Sequence, residues 1–258
     1  MPVNAGLYYF LHAGGRSTKP PLVLIHGAGE DHLFWPPEIR CLTGERIYTL
    51  DLPGHGKSKG PGLQSVADYA RSVVGFLDAE GLSRAVLVGH GLGGAIVLTL
   101  ALDQPERVAG IGLIASGACL PVPASMLENA ANPATFILAV QAWQEAMQTP
   151  PAAKKIKEQA FRQLSSIRPS LFHGDLYASD QFDGTARLDA IHAPALVICG
   201  TDDQLAPRRY SEGLAGQIPG AALQTIESAG HLVMLEQPHR VAGLMSVFLK
   251  TIPGFPGM

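Results

Sequence analysis

Short apolar runs, each breaking off at a turn residue and each followed by a helical pattern, limit this chain to few architectures. Residues 21–26 (PLVLIH), 46–51 (RIYTLD), 84–89 (RAVLVG), 108–116 and 194–200 (PALVICG) are rich in Val, Ile and Leu. They lack the strict alternation of a half-exposed strand, so they read as parallel strands covered on both faces. Residues 63–80, 92–104 and 207–217 carry helical patterns between them, and Gly81 is placed to stop the first. Residues 7–12 and 222–227 supply further strands, and 238–250 a closing helix. Alternating strands and helices predict an α/β domain around a parallel sheet. At 258 residues and 47% hydrophobic, the chain has enough apolar material for one large core.

One stretch interrupts the alternation. About 77 residues between the 108–116 and 194–200 strands contain no convincing strand. Residues 133–147 instead place Phe136, Ile137, Val140, Trp143 and Met147 at helical spacing, and 154–164 is a second amphipathic segment. A helical insertion entering and leaving at strand ends is expected to form a lid over the sheet's carboxyl edge, where such sheets bind ligands. The expected division is a core of residues 1–119 and 187–258 and a lid of 120–186.

Several function classes drop out early. Nineteen Lys and Arg against 22 Asp and Glu give a net charge of −3, with no footprint for nucleic acid or an anionic membrane. Cys41, Cys119 and Cys199 are too scattered for a disulfide framework or a zinc site, and no metal or cofactor is expected. The first ten residues lack a basic segment followed by an apolar one, and no apolar run reaches the ~18 residues of a membrane span. The expectation is a cytoplasmic protein acting on a small molecule. Its oligomeric state is not encoded in any pattern.

Three separated segments carry chemistry. In LVLIHGAGEDHLFW (22–35), a buried strand ends in His26-Gly27-Ala28-Gly29, where small residues let backbone N–H groups approach a developing negative charge. In VLVGHGLGG (86–94), glycines two before and two after Gly91 permit a sharp strand–turn–helix elbow. The same string formally fits a dinucleotide loop, but it follows a middle strand, and residues 108–111 lack the acidic ribose ligand. Finally, Asp202 and Asp203 stand just past the 194–200 strand, and His231 sits in the loop after the next strand. An acid and a histidine in that order suit a general base held by a carboxylate.

Taken together, LVLIHGAG, DLPGHGKS (51–58), VGHGLGGA, GTDDQLAP and SAGHLVMLEQP resemble the α/β-hydrolase family, in its lidded, cofactor-free branch, over nearly the whole chain. The resemblance implies a mostly parallel eight-stranded sheet flanked by helices. It implies Asp203 rather than Asp202 as the acid, 28 residues before His231, and the N–H groups of Ala28 and Leu92 as oxyanion donors. Gly29, His90, Trp143, Leu205 and Leu232 are expected to contact substrate. His26 and His90 are expected chiefly to hydrogen-bond the loops. The departure is Gly91, which stands where esterase-type members carry the serine nucleophile. Without a hydroxyl no acyl-enzyme can form there. Two explanations compete: an inactivating replacement in an otherwise working site, or a non-nucleophilic member that binds ligand or uses the Asp–His base alone. The intact acid, histidine and glycine loop favour the first.

The substrate class follows from the insertion. Residues 108–153 hold no Lys or Arg, so their half of the lid offers no clamp for a carboxylate. Leu232 also replaces the aromatic residue common after the histidine in the carbon–carbon-cleaving branch. Neutral esters are therefore expected. Basic residues from Lys154 onward keep a lactonase or carbon–carbon hydrolase open, and a silent binding protein is the reading from another class.

Overall fold

The structure, a computed structural model, describes residues 3–15, 19–148, 150 and 153–254. Positions 1–2, 16–18, 149, 151–152 and 255–258, which fall inside the expected core and lid spans, lie outside the described residues.

The strands are β1 (Val3–Asn4), β2 (Leu7–His12), β3 (Leu22–Ile25), β4 (Ile47–Leu50), β5 (Ala85–His90), β6 (Val108–Ile114), β7 (Ala195–Gly200) and β8 (Ala222–Ile226). They form one eight-stranded sheet in the order β1-β2-β4-β3-β5-β6-β7-β8. β2 runs antiparallel to β1 and β4, and all other pairs are parallel. Every residue of β3 to β7 is buried, which is why their sequences show no alternation. β8 lies at the edge and leaves alternate residues exposed. The two-residue β1 completes the sheet and is too short to leave a pattern in the sequence.

Two helices frame the centre. α2 (Val66–Ala79) starts at Ser65, whose hydroxyl accepts from the Asp68 N–H, and buries Val66, Tyr69, Ala70, Val73, Phe76 and Leu77 along one face. α3 (Leu92–Asp103) is apolar almost all round because it packs on β5 and β6 and also touches α2 and the insertion. α8 (Arg208–Gln217) and α10 (Pro238–Thr251) complete the core. The short helices α1 (Pro37–Arg40) and α9 (Val233–Glu236) line loops, α9 directly after His231 and Leu232.

Between β6 and β7 the chain builds α4 (Ala124–Ala131), α5 (Phe136–Ala146), α6 (Lys154–Ser166) and α7 (Pro169–Asp180). An antiparallel bridge between Cys119 and Asp183, with the Gly184 N–H donating to the Ala118 carbonyl at 2.8 Å, closes the neck of this insertion. α5 buries Phe136, Ala139 and Val140, while Ile137 and Leu138 remain exposed. No helix among the described residues is long and apolar enough to cross a membrane.

Candidate active site

β5 passes into α3 through a turn at Gly91, which adopts φ +49° and ψ −114°. The flanking glycines are required by contact. A Cβ on Gly89 would run into the Gly93 carbonyl, and one on Gly93 into the Ile25 carbonyl. Position 91 differs: a Cβ there meets nothing closer than His231 Nε2 at 3.6 Å. A side chain therefore fits the space at 91, although any L-residue would carry the strain of that backbone. The next residue, Leu92, opens α3, so its N–H points out of the helix's positive end.

His231 comes from the loop after β8, at the same carboxyl edge of the sheet as the turn after β5. Its Nδ1 lies 2.8 Å from Asp203 Oδ2, and its backbone N–H donates to the Met147 carbonyl at 2.9 Å. Asp203 Oδ1 accepts from the Leu205 and Ala206 N–H groups at 2.8 and 2.9 Å, so the carboxylate is held at both oxygens. Asp203 is buried whereas Asp202 is exposed and bonds its neighbour Thr201. With Nδ1 donating to Asp203, the Nε2 lone pair faces the space above Gly91, where no protein group bonds it among the described residues. This is the arrangement of a general base.

Gly91, Leu92, Ala28 and His231 line one cleft. Neither the Ala28 nor the Leu92 N–H donates to another protein group among the described residues. The remaining wall is apolar, from Leu120, Pro121, Val122, Pro123, Met126, Trp143, Leu205 and Ala206, with Ser179 as its one hydroxyl. His231 is the single titratable side chain on that lining. Trp143 stands edge-on to His231, with ring centroids 6.2 Å apart.

The family model for the α/β-hydrolase fold matches residues 20–238. The chain belongs to the α/β-hydrolase fold family. Among its relatives is a protein of Variovorax paradoxus (strain S110), provisionally named carbamate hydrolase RutD, 32% identical over 245 residues that span 87% of this chain and 89% of the relative. A thermophilic esterase from Thermogutta terrifontis superposes with a TM-score of 0.82 at 25% identity, over 95% of this chain and 93% of the other. An enol-lactonase from Burkholderia xenovorans LB400 shares the fold at TM-score 0.84 and 23% identity, covering 95% and 96% of the two chains.

In the structure of this α/β-hydrolase Gly91, Ala28, Leu92, Trp143, Leu205 and His231 line the cleft and Asp203 bonds His231, whereas Gly29, His90 and Leu232 are not on that lining. Gly29 turns toward the insertion, and its N–H donates to Asp175 Oδ2 at 2.8 Å. Leu232 is fully buried beneath α9. His90 has no free nitrogen: Nδ1 lies 3.0 Å from Glu30 Oε2 and Nε2 3.0 Å from the His231 carbonyl. The missed wall, 120–123 with Met126 and Ser179, had a signal in the proline-rich LPVP stretch just beyond the carboxyl end of β6.

Further histidines are buried away from the cleft lining. His55 Nε2 is 2.7 Å from Asp175 Oδ2, and its Nδ1 3.1 Å from the Pro53 carbonyl. Tyr69 donates to Asp175 Oδ1 at 2.5 Å. Both ring nitrogens of His55, and both of His90, face acceptor oxygens, which only an imidazolium can satisfy. Burial pulls the two imidazoles down, but the carboxylates of Asp175 and Glu30 outweigh it and hold both above their ordinary value. His26 is the converse. Its Nδ1 donates to the Gly27 carbonyl and its Nε2 accepts from the Leu52 N–H. Burial, then the neighbouring His55 charge, push it down and keep it neutral.

Asp31, His32 and Asp51 gather potential metal-ligand atoms within 4.8 Å of one another. Asp51 spends its oxygens on the His32 ring and N–H and on the Lys57 N–H, all at 2.7–2.8 Å. The cluster thus holds the 51–58 turn by hydrogen bonds of its own.

Proposed function

We propose that this α/β-hydrolase is built to cleave neutral carboxylic esters, with residues 120–186 as a lid over the cleft and a cytoplasmic setting that suits its three free cysteines. The observation that carries the reading is the unpartnered Nε2 of His231, 3.6 Å from the Cβ position of residue 91, on a cleft shared with the Ala28 and Leu92 N–H groups. In this scheme a hydroxyl on residue 91 attacks the ester carbonyl. His231 takes its proton and passes it to the leaving alkoxide, Asp203 holds the imidazole, and the two N–H groups bind the oxyanion. Water activated by His231 then releases the acid, and the scheme needs no metal or cofactor. Gly91 has no hydroxyl, so the acyl-enzyme route is closed in this chain, which is inactive or nearly so. A triad lacking one member keeps only ~10³–10⁴-fold acceleration over water.

The apolar wall supports a neutral substrate, because recognition of a carboxylate calls for Arg or Lys and none lines the cleft. The cations of α6 offer no substitute there. Lys154 is 81% exposed and sits 3.8 Å from Glu158 on its own helix. Matched steady-state assays on short p-nitrophenyl esters test the reading. Gly91→Ser should gain orders of magnitude in kcat. A folded Gly91→Ser protein with no gain would refute the acyl-enzyme scheme, and no turnover above buffer in either protein would leave a binding protein.

A further inference from the structure

We infer that the chain with Gly91 hydrolyses its ester directly, by attack of a water molecule that His231 deprotonates in the space a residue-91 side chain would fill. The inference rests on the ester-hydrolase reading and adds a route that needs no nucleophilic side chain. Three observations carry it. The Cβ direction of Gly91 leads to His231 Nε2 at 3.6 Å and to the Ala115 carbonyl at 4.0 Å, so the unfilled volume opens onto the lone pair of the base. The two oxyanion N–H groups border the same cleft. Among the described residues lining the cleft, none carries a thiol and the one hydroxyl is already engaged. Ser116 donates its hydroxyl to the Gly91 carbonyl at 2.9 Å and Ser179 to the Asp175 carbonyl at 2.8 Å. Cys199 is buried in β7, where loss of solvent pushes its thiol up.

The step balances with water as the co-reactant. His231 Nε2 takes one proton from water while the water oxygen bonds to the carbonyl carbon, and the carbonyl electron pair moves onto the oxygen held by Ala28 and Leu92. Collapse of that intermediate breaks the carbon–alkoxide bond, and the alkoxide leaves with the proton from Nε2. Ester and water become acid and alcohol, and His231 returns to its starting state.

The test uses the protein as it stands with p-nitrophenyl butyrate, under stopped-flow and intact-mass analysis. The expected result is saturable turnover without a burst and without an acylated protein mass, falling by ~10²-fold or more in His231→Ala. Gly91→Ala supplies a variant that keeps the His231–Asp203 pair but puts a methyl group where the water must lie. It should fall comparably while its circular dichroism stays native. Turnover no faster than buffer, a burst, an acyl adduct, or rates that survive both substitutions would overturn the inference. A gain in Gly91→Ser alongside any of those outcomes would leave the ester-hydrolase reading intact. Slow His231-dependent turnover with no gain in Gly91→Ser would fault the acyl-enzyme scheme instead.

Discussion

His231 on Asp203 and His55 on Asp175 are chemically the same pair, buried and bonded at 2.8 and 2.7 Å. They differ at the other ring nitrogen. His55 spends it on the Pro53 carbonyl, so the ring is a cation locked at both ends. His231 leaves it open toward Gly91 and the cleft. One pair can move a proton and the other can only hold structure. Asp175 shows what the second kind does: it binds the N–H of Gly29, beside Ala28, and so ties α7 of the insertion to the loop that carries the proposed oxyanion donor.

The comparison would break most visibly at the two acids. In a Gly91→Ser background, Asp203→Asn should lower kcat by up to ~10⁴-fold, because a misoriented imidazole loses its function as a base. Asp202→Asn, at an exposed turn residue, should do far less. The reverse ranking in steady-state assays would undo the assignment of the acid. Asp175→Asn should act on folding rather than chemistry. Removing one partner of a buried pair costs about 3–5 kcal/mol, read from denaturant unfolding. A large drop in kcat with unchanged stability would mean that the His55 pair is itself part of the catalytic machinery.

The pH dependence of stability sharpens the same contrast. His55 and His90 are held above the ordinary imidazole value of 6.5, so their contribution is complete below it and is lost as pH rises through their folded values. Glu30 and Asp51 behave oppositely. Burial alone would raise them, but His90 and His32, together with backbone N–H groups, hold both below their ordinary values of 4.5 and 3.8. Their contribution is present above those values and is lost as pH falls through the folded ones. His26, kept neutral, adds a penalty as pH drops below 6.5. Melting temperature should therefore fall on both sides of neutrality, with the alkaline limb shallower in Asp175→Asn. An unchanged alkaline limb would show that His55 is not the cation its partners imply.

The smallest effect concerns the cleft wall. In the Gly91 chain, calorimetric binding should tighten with each methylene added to a neutral ketone analogue of the ester, which cannot be hydrolysed, by up to ~0.8 kcal/mol per buried group. A distal carboxylate should weaken binding, since a buried charge without a partner is costly. Tighter binding of the carboxylate series would move the substrate class to anionic lactones or dienoates.

Much of this was legible in the chain itself. Continuous Val, Ile and Leu runs between helical patterns determined a parallel sheet, because a strand covered on both faces has no polar side to alternate with. The spacing of Gly89, Gly91 and Gly93 determined a turn, since the Gly93 and Ile25 carbonyls approach too closely for a Cβ at the outer two positions. Only the tertiary structure decided which histidine is free. His26, His55, His90 and His231 each adjoin a glycine, and although the order of acid and histidine marks His231, no local pattern shows which ring nitrogens are occupied. What separates them is the partner each ring nitrogen meets from a distant segment: Leu52 for His26, Asp175 for His55, Glu30 for His90, and the open cleft for His231. Pocket lining was decided in the same way. Leu120–Pro123, Trp143 and Ser179 meet over Gly91 because the insertion folds back on its own neck, a closure that depends on contacts far apart in the chain rather than on any pattern within it.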